Sequence, residues 1–377
     1  MLLSTLGRTE HIADIVCNLK NATYTMPTQG GLIPNDRFMA GIRLTVEMRS
    51  TNPAAGNVGQ EADSPFSLLE LIEVEGYHRI RGNREKFISV RGADLRELNC
   101  IMTNHIPYLD VGGVFGAPLA LGPGAPNDVR FIVEIPFVPL QMHWRSQLNY
   151  LLDAPNYEQL QLTIRWSDEF SIFNGVGGVN AFSMYGGAGG NPIIHVEGIF
   201  AQSGANRFAG YVPSRVFRYF SEVRAGDIIG GGANLRLYNF PKGYFIRNLL
   251  FKTGVLSATA TAGNNVYTTL SDVILNNIRV YRGTNKLNRL FVNMFTLKED
   301  VCGMNGYAVR QPLQGYGMID WAPHGLDAEV LDTRGLVAGP TGDVDLFLAS
   351  DIVAGAAQGA MFLVEEWRYP AGTLVRK

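Results

Sequence analysis

The chain contains six histidines, the residue type best suited to bind a metal ion or to move a proton near neutral pH. None of them belongs to an HxH, HxxxH or HExxH pattern. The nearest approach to a metal-binding pair is His195 with Glu197, on one face of a predicted strand. A cupin-like site requires more histidines at set spacing, so we expect no metal and no cofactor. The six are His11, His78, His105, His143, His195 and His324.

Pairs of adjacent acidic residues could supply the two carboxylates of a glycosidase site. Neighbours along a strand point to opposite faces of a sheet, so the two members of such a pair do not converge. Glu299 also has a predicted role in capping a helix. We therefore expect no catalytic residue among these acids. The pairs are Asp168-Glu169, Glu299-Asp300 and Glu365-Glu366.

Glycine-rich and basic stretches also lack the context of a binding site. Gly175-Val-Gly-Gly and Gly230–Gly232 have no strand–GxGxxG–helix setting, and no GxSxG occurs. The segment His78–Arg96 carries seven basic or histidine residues against Glu85 and Asp94, and it could face nucleic acid or an acidic partner. We favour the simpler interpretation, in which these residues lie on strand faces and hairpin tips in water or in subunit contacts.

Composition bounds the class of protein. The 377 residues are enough for two domains; 46% are apolar and 18% charged, and 43 are glycine, which indicates many turns and loops. The net charge of −2 gives no whole-chain case for nucleic-acid binding. The three cysteines form no CxxC pair, and we expect small core residues and a reducing assembly compartment. We expect no signal peptide and no membrane-spanning helix, because the uncharged run Ser171–Ile194 holds seven glycines.

The organising feature of the chain is a repeat. The stretch Ile88–Met102 aligns without a gap onto Leu290–Met304 at a shift of 202 positions. In each copy an alternating strand runs into a predicted capping box, Asp94 with Glu97 and Thr296 with Glu299. A strand followed by a short helix therefore occurs twice, about half a chain apart, which indicates a duplicated domain.

The rest of the chain reads as strands, turns and one or two short helices per half. Alternation predicts strands such as Phe38–Met48, Val129–Val138, Gln159–Trp166 and Ile193–Phe200. About eight strands per half favour a jelly roll over an immunoglobulin sandwich. We predict an N-terminal arm at 1–24, with a helix that presents Ile12, Ile15, Val16 and Leu19 on one face. We predict a first jelly roll at 25–204, a linker at 205–235 and a second jelly roll at 236–377.

With these features the chain resembles the double jelly-roll major capsid proteins of tailless icosahedral viruses, the tectivirus–adenovirus-type lineage. The resemblance covers most of residues 30–377 and rests on the tandem strand order and three phrases. These are Phe240-Pro-Lys-Gly-Tyr opening a roll, Ile135-Pro-Phe, and Gly317-Met-Ile-Asp-Trp321. The resemblance implies a homotrimer whose six rolls form a pseudo-hexagonal capsomer. It also implies neighbouring capsomers and penton or minor capsid proteins as partners, and a place in the virion after assembly in the host cytoplasm.

Two further expectations concern the parts in which the halves differ. The loops 111–127 and 171–191 of the first half would form an outward tower or a threefold contact. The arm 1–24 and Arg376-Lys377 would lie at the shell base, against neighbours, an internal membrane or the genome.

Two other classes remain open from the residues alone. A carbohydrate-binding double β-sandwich would require exposed aromatic platforms, yet Trp166, Trp321 and Trp367 fall in predicted strands and only Trp144 lies in an irregular passage. A double jelly-roll amidase of the peptide:N-glycanase kind would show a secretion signal, disulfides and a convergent acid pair, and none is visible.

Overall fold

The structure, a computed structural model, describes most of the chain. The chain divides into two compact units close to residue 215. The described residues are 7–26, 32–51, 59–60, 62–80, 82–103, 108–111, 114–115, 126–140, 150–174, 190–201, 217–225, 231–256, 267–286, 291–304, 313–322, 330–333, 344–355 and 358–368.

The first unit is an eight-stranded jelly roll. Its first, eighth, third and sixth strands form one antiparallel sheet, and its second, seventh, fourth and fifth form the other. Helix α1 (Gly92–Thr103) joins the fifth strand to the sixth. The strands are β1 (Gly7–Val16), β2 (Ala22–Met26), β3 (Met39–Thr51), β4 (Leu69–His78), β5 (Arg84–Val90), β6 (Pro126–Pro136), β7 (Tyr157–Trp166) and β8 (Ile193–Ala201).

The second unit repeats this pairing in the same chain order. Its two sheets run β9-β16-β11-β14 and β10-β15-β12-β13, so equivalent strands differ by eight in number. Helix α2 (Met294–Met304) again follows the fifth strand. The strands are β9 (Phe217–Ala225), β10 (Gly232–Asn239), β11 (Phe245–Leu256), β12 (Leu275–Arg282), β13 (Phe291–Asn293), β14 (Tyr316–Asp320), β15 (Leu346–Ile352) and β16 (Gln358–Arg368). The chain is therefore all-β, with two tandem jelly rolls and short helices, as predicted.

Both rolls also contain short strands, and the first roll contains 3₁₀ turns. In the first roll they are strands Leu109–Val111, Val114–Phe115, Gly59–Gln60 and Phe173–Asn174, and 3₁₀ turns Phe66–Leu68, Ala154–Asn156 and Glu169–Ser171. In the second roll they are strands Tyr267–Leu270, Asn285–Lys286 and Leu331–Asp332.

The core of each roll lies between its two sheets, because alternate residues of each strand point inward. In β7 the fully buried side chains are Leu160, Leu162, Ile164 and Trp166, while Gln159 and Arg165 between them are exposed. Edge-to-face aromatic packing adds specificity: the Phe87 and Tyr157 ring centroids are 5.2 Å apart. The buried Tyr157 hydroxyl is satisfied by a hydrogen bond, which it donates to the Glu85 carboxylate at 2.9 Å.

The predicted helix within residues 1–24 is wrong. Residues 7–16 form β1, which pairs along its length with β8, and β2 follows in the other sheet. The buried side chains are Ala13, Ile15 and Cys17, which have strand spacing, whereas Val16 is half exposed. A strand fits because only it places these three on one face, after a register shift between His11 and Ala13.

The residues expected to form a linker, 205–235, include β9 and the beginning of β10. These strands are the first two of the second roll, and they pair with β16 and β15. Phe240-Pro-Lys-Gly-Tyr therefore does not open the roll; it lies between its second and third strands. The repeat extends further towards the N-terminal side of each half than the sequence alignment indicated.

Both predicted capping boxes are also placed differently. Helix α1 begins at Gly92, so Asp94 is a buried residue of its first turn and not the N-cap. Helix α2 is capped by Asn293, whose Oδ1 accepts from the Thr296 backbone N–H at 3.0 Å. Thr296 Oγ1 returns the bond by accepting from the Asn293 N–H at 3.3 Å. Thr296 is thus the third helical residue of a capping box that starts three residues earlier than predicted.

Candidate assembly surfaces

His195 lies on the outer face of the first sheet of the first roll, between two neighbouring strands. Its Nδ1 is 2.6 Å from the Asp14 carboxylate on β1, and its Nε2 is 3.8 Å from the Glu47 carboxylate on β3. Glu197, the other half of the predicted metal pair, instead has Arg43 at 3.9 Å. In the part of the chain that the structure describes, no three potential metal ligands come together. His195 and Glu197 therefore serve separate cross-strand pairs.

The same outer face carries a ladder of ion pairs across β3 and β6. Arg43 contacts Glu134 at 2.8 Å, and Arg130 contacts Glu47 at 2.6 Å. The hydrogen bond to Glu47 raises the pKa of the Arg130 guanidinium above its ordinary value. Cross-strand pairs of opposite charge favour one register, although each exposed pair adds little stability. The ladder thus gives this face fixed charges of both signs rather than an apolar contact surface.

At one end of this ladder is a cleft of about 310 Å³. Its lining holds three carboxylates and two guanidinium groups: Arg49 lies 3.4 Å from Asp128, Arg130 lies 2.6 Å from Glu47, and the Tyr108 hydroxyl donates to Asp110 at 3.1 Å. The lining includes Glu47, Arg49, Asp110, Asp128, Arg130 and Ile193. This arrangement provides no concentrated charge that would select an anion or a metal.

The adjacent acids whose side chains are described make contacts with different partners. Asp168 caps a 3₁₀ turn by accepting from the Phe170 N–H at 3.1 Å, while its neighbour Glu169 contacts Lys20 at 2.6 Å. Glu365 is fully buried and accepts from the Asn248 side chain at 2.7 Å. Glu299 is exposed and does not have its predicted capping role, and the Asp300 side chain lies outside the described residues. Asp168, Glu169 and Glu365 therefore each contact a group other than the adjacent acid.

The basic residues in His78–Arg96 largely face acids of the neighbouring strand. Lys86 on β5 contacts Glu73 at 2.5 Å, and Arg84 approaches Glu75 at 3.7 Å. Arg96 lies over the Phe66 ring, 4.9 Å from its centroid. The contacts of Arg84 and Lys86 support the interpretation of ordinary strand faces.

The third strand of the second roll has buried side chains on both faces, which the sequence analysis missed. Ten successive residues of β11, from Phe245 to Gly254, are buried. They include Arg247 and Lys252; the Lys252 ammonium lies 4.9 Å and 5.5 Å from the ring centroids of Tyr267 and Tyr316. The stretch Phe-Ile-Arg-Asn-Leu-Leu-Phe-Lys indicated this burial, because its apolar and polar residues alternate only weakly. A strand that is buried on both faces needs no period of two.

Aromatic platforms are not found among the described tryptophans. Trp166 is fully buried, as predicted, and Trp321 packs against the core of the second roll with its ring 5.7 Å from Phe240. Trp144 and the Trp367 side chain lie outside the described residues. Cys17 and Cys100 are buried and form no disulfide with another described residue, which confirms the core prediction for these two; the Cys302 side chain is not described.

Large apolar side chains are exposed in both rolls, Leu19 and Ile80 among them in the first. Four more lie near one end of the second roll. They belong to the segments that flank β12 and β15 and to the junction of β13 with α2. The four are Val273, Val292, Phe295 and Val353, which we call the roll-two patch. Neither described helix has the length and apolar character needed to cross a membrane.

The sequence matches no family model and no curated protein. The fold does have solved relatives. The major capsid protein of STIV, Sulfolobus turreted icosahedral virus, superposes with a TM-score of 0.63 at 13% identity, over 97% of this chain and 99% of that chain. The Faustovirus major capsid protein gives 0.55 at 8% identity, over 96% and 90%.

A third example is the major capsid protein P2 of bacteriophage PM2, with a TM-score of 0.52 at 11% identity over 97% of this chain and 100% of that chain. At such low identity the agreement concerns the fold. It extends over nearly the full length in both directions, so it includes both rolls. The chain has the double jelly-roll fold that is also found in these viral major capsid proteins.

Proposed function

We propose that this chain is a major capsid protein that forms trimers and tiles an icosahedral virus shell. One observation carries the proposal: two rolls with the same strand pairing fill the chain and match capsid proteins over nearly all of both lengths. Fold alone does not fix function, so the proposal also depends on how the surfaces are built. The described surfaces offer paired charges and an apolar patch, which suit contacts between proteins.

The duplication gives a physical reason for a trimer. Cyclic threefold symmetry acting on two similar rolls per chain produces six similar bodies around one axis. Such a pseudo-hexagonal block can tile a shell with neighbours on all sides. We propose copies of this chain in adjacent capsomers, and penton or minor capsid proteins, as the partners, with the virion as its location after assembly in the host cytoplasm.

A structural role rather than an enzymatic one is part of the proposal. Two of the residues considered for a site have other contacts that support this: His195 contacts Asp14, and Glu169 contacts Lys20. Buried Cys17 and Cys100, which form no disulfide with another described residue, suit assembly in a reducing compartment.

The expectations for the shell base and the tower take a revised form. The described residues include only small parts of the loops 111–127 and 171–191 and neither Arg376 nor Lys377, so the roles of these segments stay proposals. Deletion of both loops tests the tower, and unchanged trimer stability and surface profile would oppose it. Since residues 7–16 are a strand of the first roll, we no longer assign them to a detachable arm at the base.

The test of the function is the solution mass of the purified full chain by light scattering. Three chains of 41.3 kDa give about 124 kDa. A stable species of that mass, with a hexagonal outline in negative stain, is the expected result. A monomer at every concentration, which also forms no particles, would refute the proposal.

A further inference from the structure

His195 lies between two carboxylates on the outer face of the first roll. It is directly opposite Asp14 in the pairing of β8 with β1, and its Nδ1 is 2.6 Å from Asp14 Oδ1. Its Nε2 is 3.8 Å from the Glu47 carboxylate on β3, the strand on the other side of β8. Each ring nitrogen of His195 therefore faces an acid, and the two acids belong to different strands.

The protonation state of this ring decides how strong the two contacts are. A neutral imidazole carries one N–H, so it can donate to one carboxylate while the lone pair of its other nitrogen faces the second. An imidazolium carries two N–H groups and a positive charge, so it can donate towards both. In water an imidazole changes between these forms near pH 6.5. The contacts of His195 with both neighbouring strands are therefore strongest when the ring is charged.

A second histidine contacts the same acid. The register of β1 shifts between His11 and Ala13, and the extra residue brings His11 to the same face of the sheet as Asp14. His11 Nε2 is 3.5 Å from Asp14 Oδ1. Asp14 therefore lies between two imidazoles, one from its own strand and one from β8, and protonation of either ring turns a contact into an ion pair.

Other charged groups on this face limit the effect but do not replace it. Glu47 also contacts Arg130 at 2.6 Å, so it attracts a protonated His195 less strongly than a free carboxylate would. The two imidazole rings have centroids 6.5 Å apart, so their positive charges oppose each other. Among the described residues, the ion-pair partners of Asp14 are the two histidines. The charged side chains nearby on β1, β8, β3 and β6 form pairs of their own: Arg8 and Arg37 with Glu10, Arg43 with Glu134 and Glu197, and Arg49 with Asp128.

Strand β1 depends on such contacts more than an inner strand does. It lies at the edge of its sheet and, among the described strands, pairs with β8 alone. Its buried side chains are Ala13 and Ile15, and none of the six residues before Ala13 in the strand is buried. In β16, the equivalent of β8, the side chains that alternate with the core residues are Met361 and Leu363. The histidines and their acids are thus a feature of the first roll and not a requirement of the fold.

We propose that His195 and Asp14 form a proton-dependent latch that holds β1 on the edge of the first roll. His11 and Glu47 assist it. The stability that these contacts add to β1 is present below about pH 6.5 and is lost as the pH rises above it, because only the charged rings donate to every acid they face. Local opening of β1 uncovers the edge of β8, whose N–H and C=O groups are then free to pair with another strand. The latch therefore couples pH to the exposure of a strand edge, and it does not depend on the proposed function.

The test is hydrogen exchange of the purified full chain, read by mass spectrometry at about pH 5.5 and about pH 7.5, on either side of the imidazole titration. Protection factors are compared, so that the pH dependence of intrinsic exchange is removed. His195→Gln keeps a hydrogen-bond donor but cannot take up a proton. Arg43→Gln is the matched control, because Arg43 also contacts a carboxylate across strands on this face, Glu134 at 2.8 Å, but stays charged at both pH values. The amides of β7, in the other sheet, report on the stability of the whole roll.

We expect the protection of the β1 amides to be roughly 3- to 10-fold higher at the lower pH, both in wild type and in Arg43→Gln. In His195→Gln the two values should agree within about twofold. A wild-type chain without the difference, or a His195→Gln variant that keeps it, would overturn the inference, and so would an equal change in β7. If His195→Gln does not fold, Asp14→Asn takes its place, because it removes the carboxylate that both histidines share and should abolish the difference in the same way.

Discussion

The equivalent of Arg96 in the second roll, Lys298, is held in a buried ion pair whose removal should be costly. The Lys298 ammonium lies 2.7 Å from Asp272 Oδ1 and donates to the Leu313 carbonyl at 2.9 Å. Asp272 Oδ1 also accepts from the Gly315 N–H at 2.7 Å. The pair therefore ties α2 to the segments that precede β12 and β14. Lys298→Met keeps most of the side-chain volume but leaves Asp272 buried with one backbone donor.

The magnitude follows from burial. Lys298 is 4% exposed and Asp272 is 8% exposed. Removing one partner of a buried pair costs about 3–5 kcal/mol, and the remaining Gly315 bond places our expectation near 3 kcal/mol. Lys86→Met is the matched control, because Lys86 also contacts a carboxylate, at 2.5 Å, but its side chain is 46% exposed. An exposed pair of this kind is worth about 0.2–1 kcal/mol.

The assay is urea unfolding at one protein concentration, combined with hydrogen exchange of the α2 amides. We expect Lys298→Met to lower the free energy of unfolding several times more than Lys86→Met and to accelerate exchange in α2. Adding Asp272→Asn to Lys298→Met should recover part of the loss, since it removes the uncompensated charge. A Lys298→Met variant as stable as Lys86→Met would refute the reasoning.

Three further predictions concern the first roll. Burial raises the pKa of the Glu70 carboxyl above its ordinary 4.5, with Arg165 and Arg91 opposing. The folded state therefore holds the Glu70 proton more tightly than the unfolded state does. The stability that this proton contributes is fully present below pH 4.5 and is lost as the pH rises through the folded-state pKa. The free energy of unfolding of Glu70→Gln should therefore rise relative to that of wild type between pH 4.5 and 7. If urea unfolding gives the same difference between the two proteins at every pH, the prediction is wrong. Burial raises the pKa of the Cys17 thiol to about 12, so iodoacetamide at pH 8 should label it only after unfolding; rapid labelling of the folded protein, detected by peptide mass spectrometry, would oppose its burial. Deletion of residues 1–24 removes β1 and three of the five residues of β2 and should prevent the first roll from folding; a deleted chain with unchanged circular dichroism and melting would show that these strands are dispensable.

Period-two alternation is what made much of the fold predictable. The predicted strand Gln159–Trp166 corresponds to β7, and Ile193–Phe200 corresponds to β8, because one face of each is buried and the other is solvated. The repeated junction of strand and helix was also correct in kind, as β5 with α1 and β13 with α2. The predicted boundaries of the junction were wrong, because capping depends on one backbone turn. In α2 the N-cap position is taken by Asn293 and not by Thr296.

Strands β1 and β10 were missed for different physical reasons. In β1, Ile12 and Val16 complete a helical spacing, although only Ala13, Ile15 and Cys17 are buried. In β10, four successive residues from Ala233 to Arg236 are exposed, so the strand has no apolar face for alternation to reveal. Pairing with β8 and β15, respectively, decides the conformation, and such long-range partners are not visible in a local pattern.

The candidate surfaces were less predictable than the fold. The partners of His195 and Glu197 are Asp14, Glu47 and Arg43, which lie far away in the chain and could not be read from the local sequence. The roll-two patch could have been suspected from the repeat, where Ala93 aligns with Phe295. Whether the larger residue is buried depends on the cover over it, which only the structure shows.

The most direct test of the account is cryo-electron microscopy of particles assembled from the purified full chain. The account predicts capsomers in which three chains contribute six jelly rolls around a threefold axis, with residues 7–16 as a strand in the first roll of each chain. Particles built from single rolls in another symmetry, or a chain that stays monomeric and forms no lattice, would contradict it.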